Sequence, residues 1–63
     1  MNFILLTRHD GETILVNRET VQAVEPAGEM NRDAQSMVVM EFGSLFVKEP
    51  VAVVAQKLGI KVS

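Results

Sequence analysis

A chain of 63 residues is long enough for one small domain, and residues 1–63 are interpreted as a single domain. It contains no cysteine and only one histidine, His9, which excludes disulfides and a zinc site built from one chain's thiolates or histidines. Six basic and eight acidic residues are interspersed and give a net charge of −2, which provides no bulk attraction to nucleic acid or to anionic lipid.

The predicted strands, in chain order, are residues 2–8, 12–17, 20–25, 36–42 and 45–48. Asp10-Gly11 favours a hairpin between the first two strands, because glycine adopts a positive φ at no steric cost. Pro26 predicts the end of the third strand, since proline cannot donate a hydrogen bond to a neighbouring strand. The polar segment 26–35 is interpreted as a long loop, and Gly43-Ser44 as a two-residue turn between the last two strands.

A single helix is predicted at about residues 50–58. Pro50 suits a first helical position, where its missing N–H costs nothing, and Gly59 suits the C-cap. Between them, apolar residues recur at i, i+3, i+4 and i+7: Val51, Val54, Ala55 and Leu58. Residues 60–63 either pair as a short last strand or fray. The predicted fold is mainly β, a small five-stranded SH3-like or Sm-like barrel with one short C-terminal helix.

Several strands are apolar on both faces, as in Phe3-Ile4-Leu5-Leu6, whereas a strand with one solvated face would alternate. One face is expected to fill the interior, and the other to meet the helix or another subunit. A domain this small buries only ~60% of the surface its unfolded chain exposes, so we predict a homo-oligomer. The residues expected in the core or in an interface are Phe3, Leu5, Met37, Val39 and Phe46, and core burial is expected for Phe42 as well.

Catalytic and metal-binding patterns are absent from the sequence. Ser36, Ser44 and Ser63 have only His9 as a possible base, and the scattered acidic residues do not follow the spacing of metal ligands. We therefore expect no enzymatic activity, no catalytic residues, no metal and no cofactor.

The most distinctive polar pair is Thr7-Arg8, at the end of an apolar strand. Arg8 either reaches a carboxylate or phosphate of a ligand, or pairs with Asp10 or Glu12 across the turn. Arg18 and Lys48 are the other candidate binding residues. The four-residue apolar start is shorter than the ~7–15 residues of a signal peptide, and nothing approaches the ~20 of a membrane span. We therefore expect a soluble, cytoplasmic protein with no membrane span.

A set of short motifs is spread over most of the chain: Leu6-Thr7-Arg8, Gly11, Val16-Asn17, Val21, Val24-Glu25, Val47-Lys48-Glu49, Val51, Val54 and Lys57. Together they resemble the small flagellar FlbD/SwrD (swarming motility) family. Their order and spacing follow the family pattern L-T-R-x-x-G, N-x-x-x-I-x-x-I-E and V-K-E-x-V-x-x-V-x-x-K over about residues 5–58. The chain departs from the family in its longer polar loop at 26–35 and in its apolar tail after Lys57. The resemblance implies a motility-associated adaptor that acts by binding another protein, with flagellar proteins as the candidates.

A second similarity concerns the first hairpin. The segment from Leu5 to Ile14 is similar to the opening of the CsrA translational regulators, small β-rich dimers that bind RNA. Lys48 stands where that family has an RNA-contacting arginine after the last strand. The alternative functions are therefore an RNA-binding regulator of the CsrA or Sm-like type, and a phage or structural protein that reuses the fold.

Overall fold

A computed structural model describes residues 2–60 as two antiparallel sheets followed by one helix. The elements are β1 (Phe3–Thr7), β2 (Thr13–Asn17), β3 (Val21–Pro26), β4 (Ser36–Met40), β5 (Gly43–Val47) and α1 (Val51–Leu58). β1 pairs with β2, and β3, β4 and β5 form a three-stranded sheet in that order. The mainly β fold with one C-terminal helix is therefore confirmed. Residues 60–63 are expected either to pair as a last strand or to fray. All of them except Ile60 lie outside the described residues.

The first hairpin closes where Asp10-Gly11 predicts it. The N–H of Arg8 donates to the carbonyl of Glu12 at 2.7 Å, which leaves a three-residue loop from His9 to Gly11. Gly11 has a φ of +95°, the left-handed conformation that ends such loops and that favours glycine. This turn fixes the β1–β2 register, in which Leu5 lies opposite Leu15.

The turn between β4 and β5 lies two residues earlier than predicted. Gly43 is already part of β5 and pairs with Met40, so Glu41 and Phe42 form the two-residue turn. The predicted Gly43-Ser44 turn is therefore wrong, and so are the corresponding strand ends. Phe42 lies at the tip of the hairpin with 95% of its surface exposed, which contradicts its predicted burial.

The two sheets meet along one side, where β1 runs past the end of β5. Arg8 and Val47 form an isolated antiparallel bridge. The N–H of His9 donates to the carbonyl of Phe46 at 3.0 Å, and the N–H of Lys48 donates to the carbonyl of Thr7 at 2.8 Å. Over residues 2–60 the strands form two separate sheets rather than one closed barrel, so closure of the barrel stays a prediction.

Both sheets and the helix enclose one apolar core, to which β1, β2, β4, β5 and α1 all contribute. Its buried members are Ile4, Leu6, Val16, Val38, Val47 and Val54. The predicted apolar stripe of α1 faces this core, with Val54 and Ala55 buried. Gly59 ends the helix at a φ of +84°, and its N–H donates to the carbonyl of Gln56, as its predicted C-cap position requires.

The connecting segments contain two short 3₁₀ turns. Arg18–Thr20 joins β2 to β3, and Gly28–Met30 lies inside the predicted long loop. Pro26 is the last residue of β3, one residue beyond the predicted end. Among residues 2–60, no helix has the length and apolar character needed to cross a membrane.

Candidate functional site

The first hairpin carries an exposed, uncharged face. Six side chains point away from the core, and we call this set the outer face: Phe3, Leu5, Thr7, Thr13, Leu15 and Asn17. They share one side because successive residues of a strand alternate between faces and opposite residues of paired strands lie on the same face. Four of these positions hold threonine, asparagine or phenylalanine and two hold leucine, so the outer face has no charged side chain.

Three large apolar residues in the middle row and one end row of the outer face form a contiguous patch. Phe3 is 55% exposed, Leu5 is 54% exposed and Leu15 is 67% exposed. Leu5 lies directly opposite Leu15, and Phe3 is two residues along the same strand, about 7 Å away. Together they present roughly 300–400 Å² of apolar surface, comparable to the largest patch on a typical monomer. The largest apolar patch on a monomer is often a functional surface, which makes this patch a candidate for protein binding.

The hairpin is held to the rest of the domain along the free edge of β1. On this edge the Thr7 N–H donates to both carboxylate oxygens of Glu49, at 2.9 and 3.0 Å. The Nζ of Lys57 donates to the carbonyl of Leu5 at 2.8 Å, and the main chain of Lys48 bonds the carbonyl of Thr7. These contacts cover an edge that would otherwise be open to another strand, and they fix the position of the outer face.

Glu49 is the electrostatic centre of this attachment. Partial burial alone would raise the pKa of its carboxyl group, but hydrogen bonds to the ionised form outweigh that effect and the pKa is lowered. The donors are the Thr7 N–H, the N–H of Glu49 itself and the Thr7 side chain, and the positive charge of Lys57 adds to them. Glu49 is therefore an anchoring carboxylate, kept ionised by its partners.

A buried hydroxyl supports the same junction from the other sheet. Ser36 is fully buried at the start of β4, and its Oγ donates to the main-chain carbonyl of Glu49 at 2.6 Å. We expect Ser36→Ala to lower the free energy of unfolding by about 1 kcal/mol, because the carbonyl loses its donor. Urea denaturation measures this change. Ser44→Ala, at an exposed residue of β5, is the matched control and is expected to change stability by less than ~0.5 kcal/mol.

Arg8, a predicted binding residue, is paired within its own turn. Its Nη2 lies 2.6 Å from Oδ2 of Asp10, and its Nε lies 3.0 Å from both carboxylate oxygens. The hydrogen bond from Arg8, aided by the N–H of Glu12, lowers the pKa of Asp10 to about 2. Of the two alternatives for Arg8, a ligand contact or pairing across the turn, the structure has the pairing with Asp10.

The three candidate cations do not converge on one surface. The main chain of Arg18 bonds that of Asn2 at one end of the hairpin, whereas Arg8 stands at the other end. The two ends are about 20 Å apart, at ~3.4 Å per strand residue. Lys48 is exposed next to Glu49. Arg8 and Lys48 therefore lie at the same end of the hairpin, since Arg8 bridges Val47 and Lys48 bonds the carbonyl of Thr7, and Arg18 lies at the other end.

The five residues predicted in the core or in an interface all lie outside the buried core. Phe3 and Leu5 belong to the exposed outer face, while Met37, Val39 and Phe46 are half-buried on the second sheet. Met37 lies opposite Phe46, whose ring contacts His9 edge-on at 6.5 Å between centroids. Core burial is therefore wrong for Phe3, and a role in an interface stays a prediction.

Sequence reasoning missed two parts of the site, Leu15 and the contact between Glu49 and Thr7. Leu15 had a usable signal, since the Asp10-Gly11 turn sets the register that places it opposite Leu5. The contact between Glu49 and Thr7 joins residues 42 positions apart and follows from the folded arrangement alone.

An apolar concavity lies between β3 and α1. It has a volume of about 320 Å³, and its lining includes Val24, Ala55, Leu58 and Arg18. One wall of the concavity is formed by Ile60, the last residue that the structure describes. The outer face, in contrast, lies wholly within the described residues, on an anchored hairpin. The outer face is therefore the stronger candidate site.

Residues 2–60 contain no group of three or more histidine, cysteine, aspartate or glutamate side chains placed to hold a metal ion. No protein-family model, curated protein or solved structure matches this chain.

Proposed function

We propose that this protein is a non-enzymatic interaction module that binds another protein chain through its outer face. The observation that carries the proposal is the uncharged patch of Phe3, Leu5 and Leu15 on a hairpin fixed by Glu49 and Lys57. An anchored apolar surface loses little conformational freedom on binding, which favours association.

A motility-associated adaptor is the biological role that we propose, on the basis of the resemblance to the FlbD/SwrD family. The two clearest motifs of that resemblance contact each other in the fold. Thr7 of Leu6-Thr7-Arg8 bonds the carboxylate of Glu49 and the N–H of Lys48, both from Val47-Lys48-Glu49. This contact gives a structural reason for the two motifs to occur together, and it supports an SH3-like curl in which β1 runs beside β5. The expected partner is a protein of the flagellum, in the cytoplasm.

The proposed absence of catalysis is supported by the environment of the candidate groups. The ring of His9 packs against Phe46, and the hydroxyl of Ser36 is buried in its hydrogen bond to Glu49. Neither group is arranged to activate the other, so no nucleophile and base pair forms between them.

The proposed function predicts that binding depends on the outer face. We expect tagged wild-type protein to enrich flagellar components from its native cells, as identified by quantitative mass spectrometry. Leu15→Glu should remove that enrichment, because a carboxylate would be placed in an apolar contact. Phe42→Glu is the matched control, since it introduces the same charge at the exposed tip of the other hairpin.

Equal enrichment by Leu15→Glu and wild type would contradict the proposal.

The rival RNA-binding function is tested by filter-binding titration at two salt concentrations. Salt-sensitive binding of RNA that is lost in an Arg8→Ala/Lys48→Ala double variant would favour the regulator. Pairing of Arg8 with Asp10 is the reason that we expect little such binding.

A further inference from the structure

We propose that the outer face is covered by a second copy of this chain, in a homodimer in which two outer faces pack against each other across a twofold axis. This inference rests on the proposed function, which makes the outer face a protein-binding surface, and the second copy covers that face until another protein displaces it. It is argued from the area of the patch, from its lack of charge and from the size of the core.

The area of the outer face matches what a weak, specific dimer needs. Its three apolar side chains are each more than half exposed, and Thr7, Thr13 and Asn17 complete the face. Packing two such faces together would bury on the order of 1,000 Å² in total, near the lower limit for a specific interface. Interfaces at this end of the size range are mostly weak or transient, so we expect a reversible dimer.

The absence of charge makes the outer face complementary to itself. A twofold axis places the same surface on both sides of an interface, so any charged residue near the axis would face its own copy. The charges of this hairpin instead stand outside the face, in the turn at Arg8, Asp10 and Glu12 and in the 3₁₀ turn at Arg18 and Glu19. Lys57 and Glu49 add two charges along the β1 edge, at the rim of the face, so like charges do not meet where the two faces are centred on the twofold axis.

Because the core is small, association would add to the stability of the folded chain. Among residues 2–60, six residues form the main buried cluster, and four of them are valines. A domain of this size buries only ~60% of the surface its unfolded chain exposes and is correspondingly marginal. Removing Phe3, Leu5 and Leu15 from water would stabilise the folded chain by mass action.

A different pairing, through the open edge of β2, is the rival arrangement. The main-chain groups of Thr13 and Leu15 point away from β1, because the hydrogen-bonded pairs of this hairpin are the alternate ones, among them Arg8 with Glu12 and Asn2 with Arg18. Joining two β2 edges would form a four-stranded sheet with a copy of β1 at each outer edge. Leu5 would then lie about 14 Å from its copy, three strand spacings of ~4.8 Å away. Leu5 therefore distinguishes the two arrangements.

Sedimentation equilibrium over a wide protein concentration range tests the dimer. We expect wild type and Phe42→Glu to dimerise alike, while Leu5→Glu and Leu15→Glu each raise the dissociation constant at least ~10-fold, because a buried unpaired carboxylate is costly. An equal mixture of Leu5→Glu and Leu5→Lys should associate more tightly than either variant alone, which a folding defect would not produce. Circular dichroism of each variant verifies that the fold is retained.

Two results would overturn the inference. Wild type that remains monomeric throughout would exclude the dimer and still leave the outer face open to a different protein, whose binding the co-purification experiment tests. If Leu15→Glu dissociated the dimer and Leu5→Glu did not, the two copies would pair through their β2 edges and not face to face.

Discussion

Replacing Leu6 with alanine is expected to lower the free energy of unfolding by about 3 kcal/mol, a larger loss than we expect from any substitution at the surface. Leu6 is 1% exposed on the inner side of β1, within the cluster that joins both sheets to the helix. Truncation removes apolar surface from the core and leaves a cavity that the surrounding strands fill only in part. A chain of this length has roughly 3–9 kcal/mol of stability in all, so the variant should be largely unfolded on mild heating.

Leu5→Ala is the matched control, since it makes the same change one residue earlier in the same strand. Leu5 is 54% exposed on the outer face, and its main-chain bond to Lys57 does not depend on its side chain. Its effect should stay below ~1 kcal/mol when unfolding is followed in urea at low protein concentration. Equal destabilisation by the two variants would show that β1 does not turn Leu6 toward the core and Leu5 toward solvent.

The positions of the strands are readable from the sequence, but the inner face of β1 is not. Turn residues and β-branched runs place all five strands to within two residues of their observed ends. In Phe3-Ile4-Leu5-Leu6, however, four apolar residues occur in a row, so alternation cannot say whether the odd or even positions are buried. The packing of Ile4 and Leu6 against Val54 of the helix decides the matter. For this reason the sequence predicts Phe3 and Leu5 only as either core or interface.

The second hairpin shows a limit of turn composition as a signal. Gly43-Ser44 is typical of a two-residue turn, yet the observed turn is Glu41-Phe42. A Gly43-Ser44 turn would move the β5 partner of each β4 residue by four positions and would keep the same side chains facing inward, so alternation between faces does not distinguish the two turns. The observed register pairs buried Ser36 with buried Val47, and it leaves Phe42 exposed at the tip of the hairpin.

The candidate site depends on a contact that local sequence patterns do not reveal. Glu49 stands at the entrance to a helix, where an acidic residue is favoured by the helix dipole whatever else it does. Its carboxylate instead bonds a main-chain N–H on β1. Glu49→Ala should lower the free energy of unfolding by about 2 kcal/mol, because the partly buried Thr7 N–H would lose its acceptor.

The same contact predicts how stability depends on pH, which Glu49→Gln tests. The pKa of Glu49 is lower in the folded protein than its ordinary value of 4.5, so folding favours the ionised form. The resulting stabilisation is complete above the unfolded-state pKa, and it is lost as the pH falls below 4.5 and through the folded-state pKa. Urea unfolding from pH 7 to pH 3 should show wild type losing its advantage over Glu49→Gln in this range.

Asp10, whose pKa is about 2, is present in both proteins, so its own titration cancels in the difference between them. Glu29→Gln changes an exposed carboxylate in the long loop and should leave the pH dependence of wild type unaltered. A constant difference between wild type and Glu49→Gln from pH 7 to pH 3 would mean that Thr7 does not hold the ionised carboxylate. The hairpin would then be anchored by Lys57 and the main chain of Lys48, and the outer face would keep its position without Glu49.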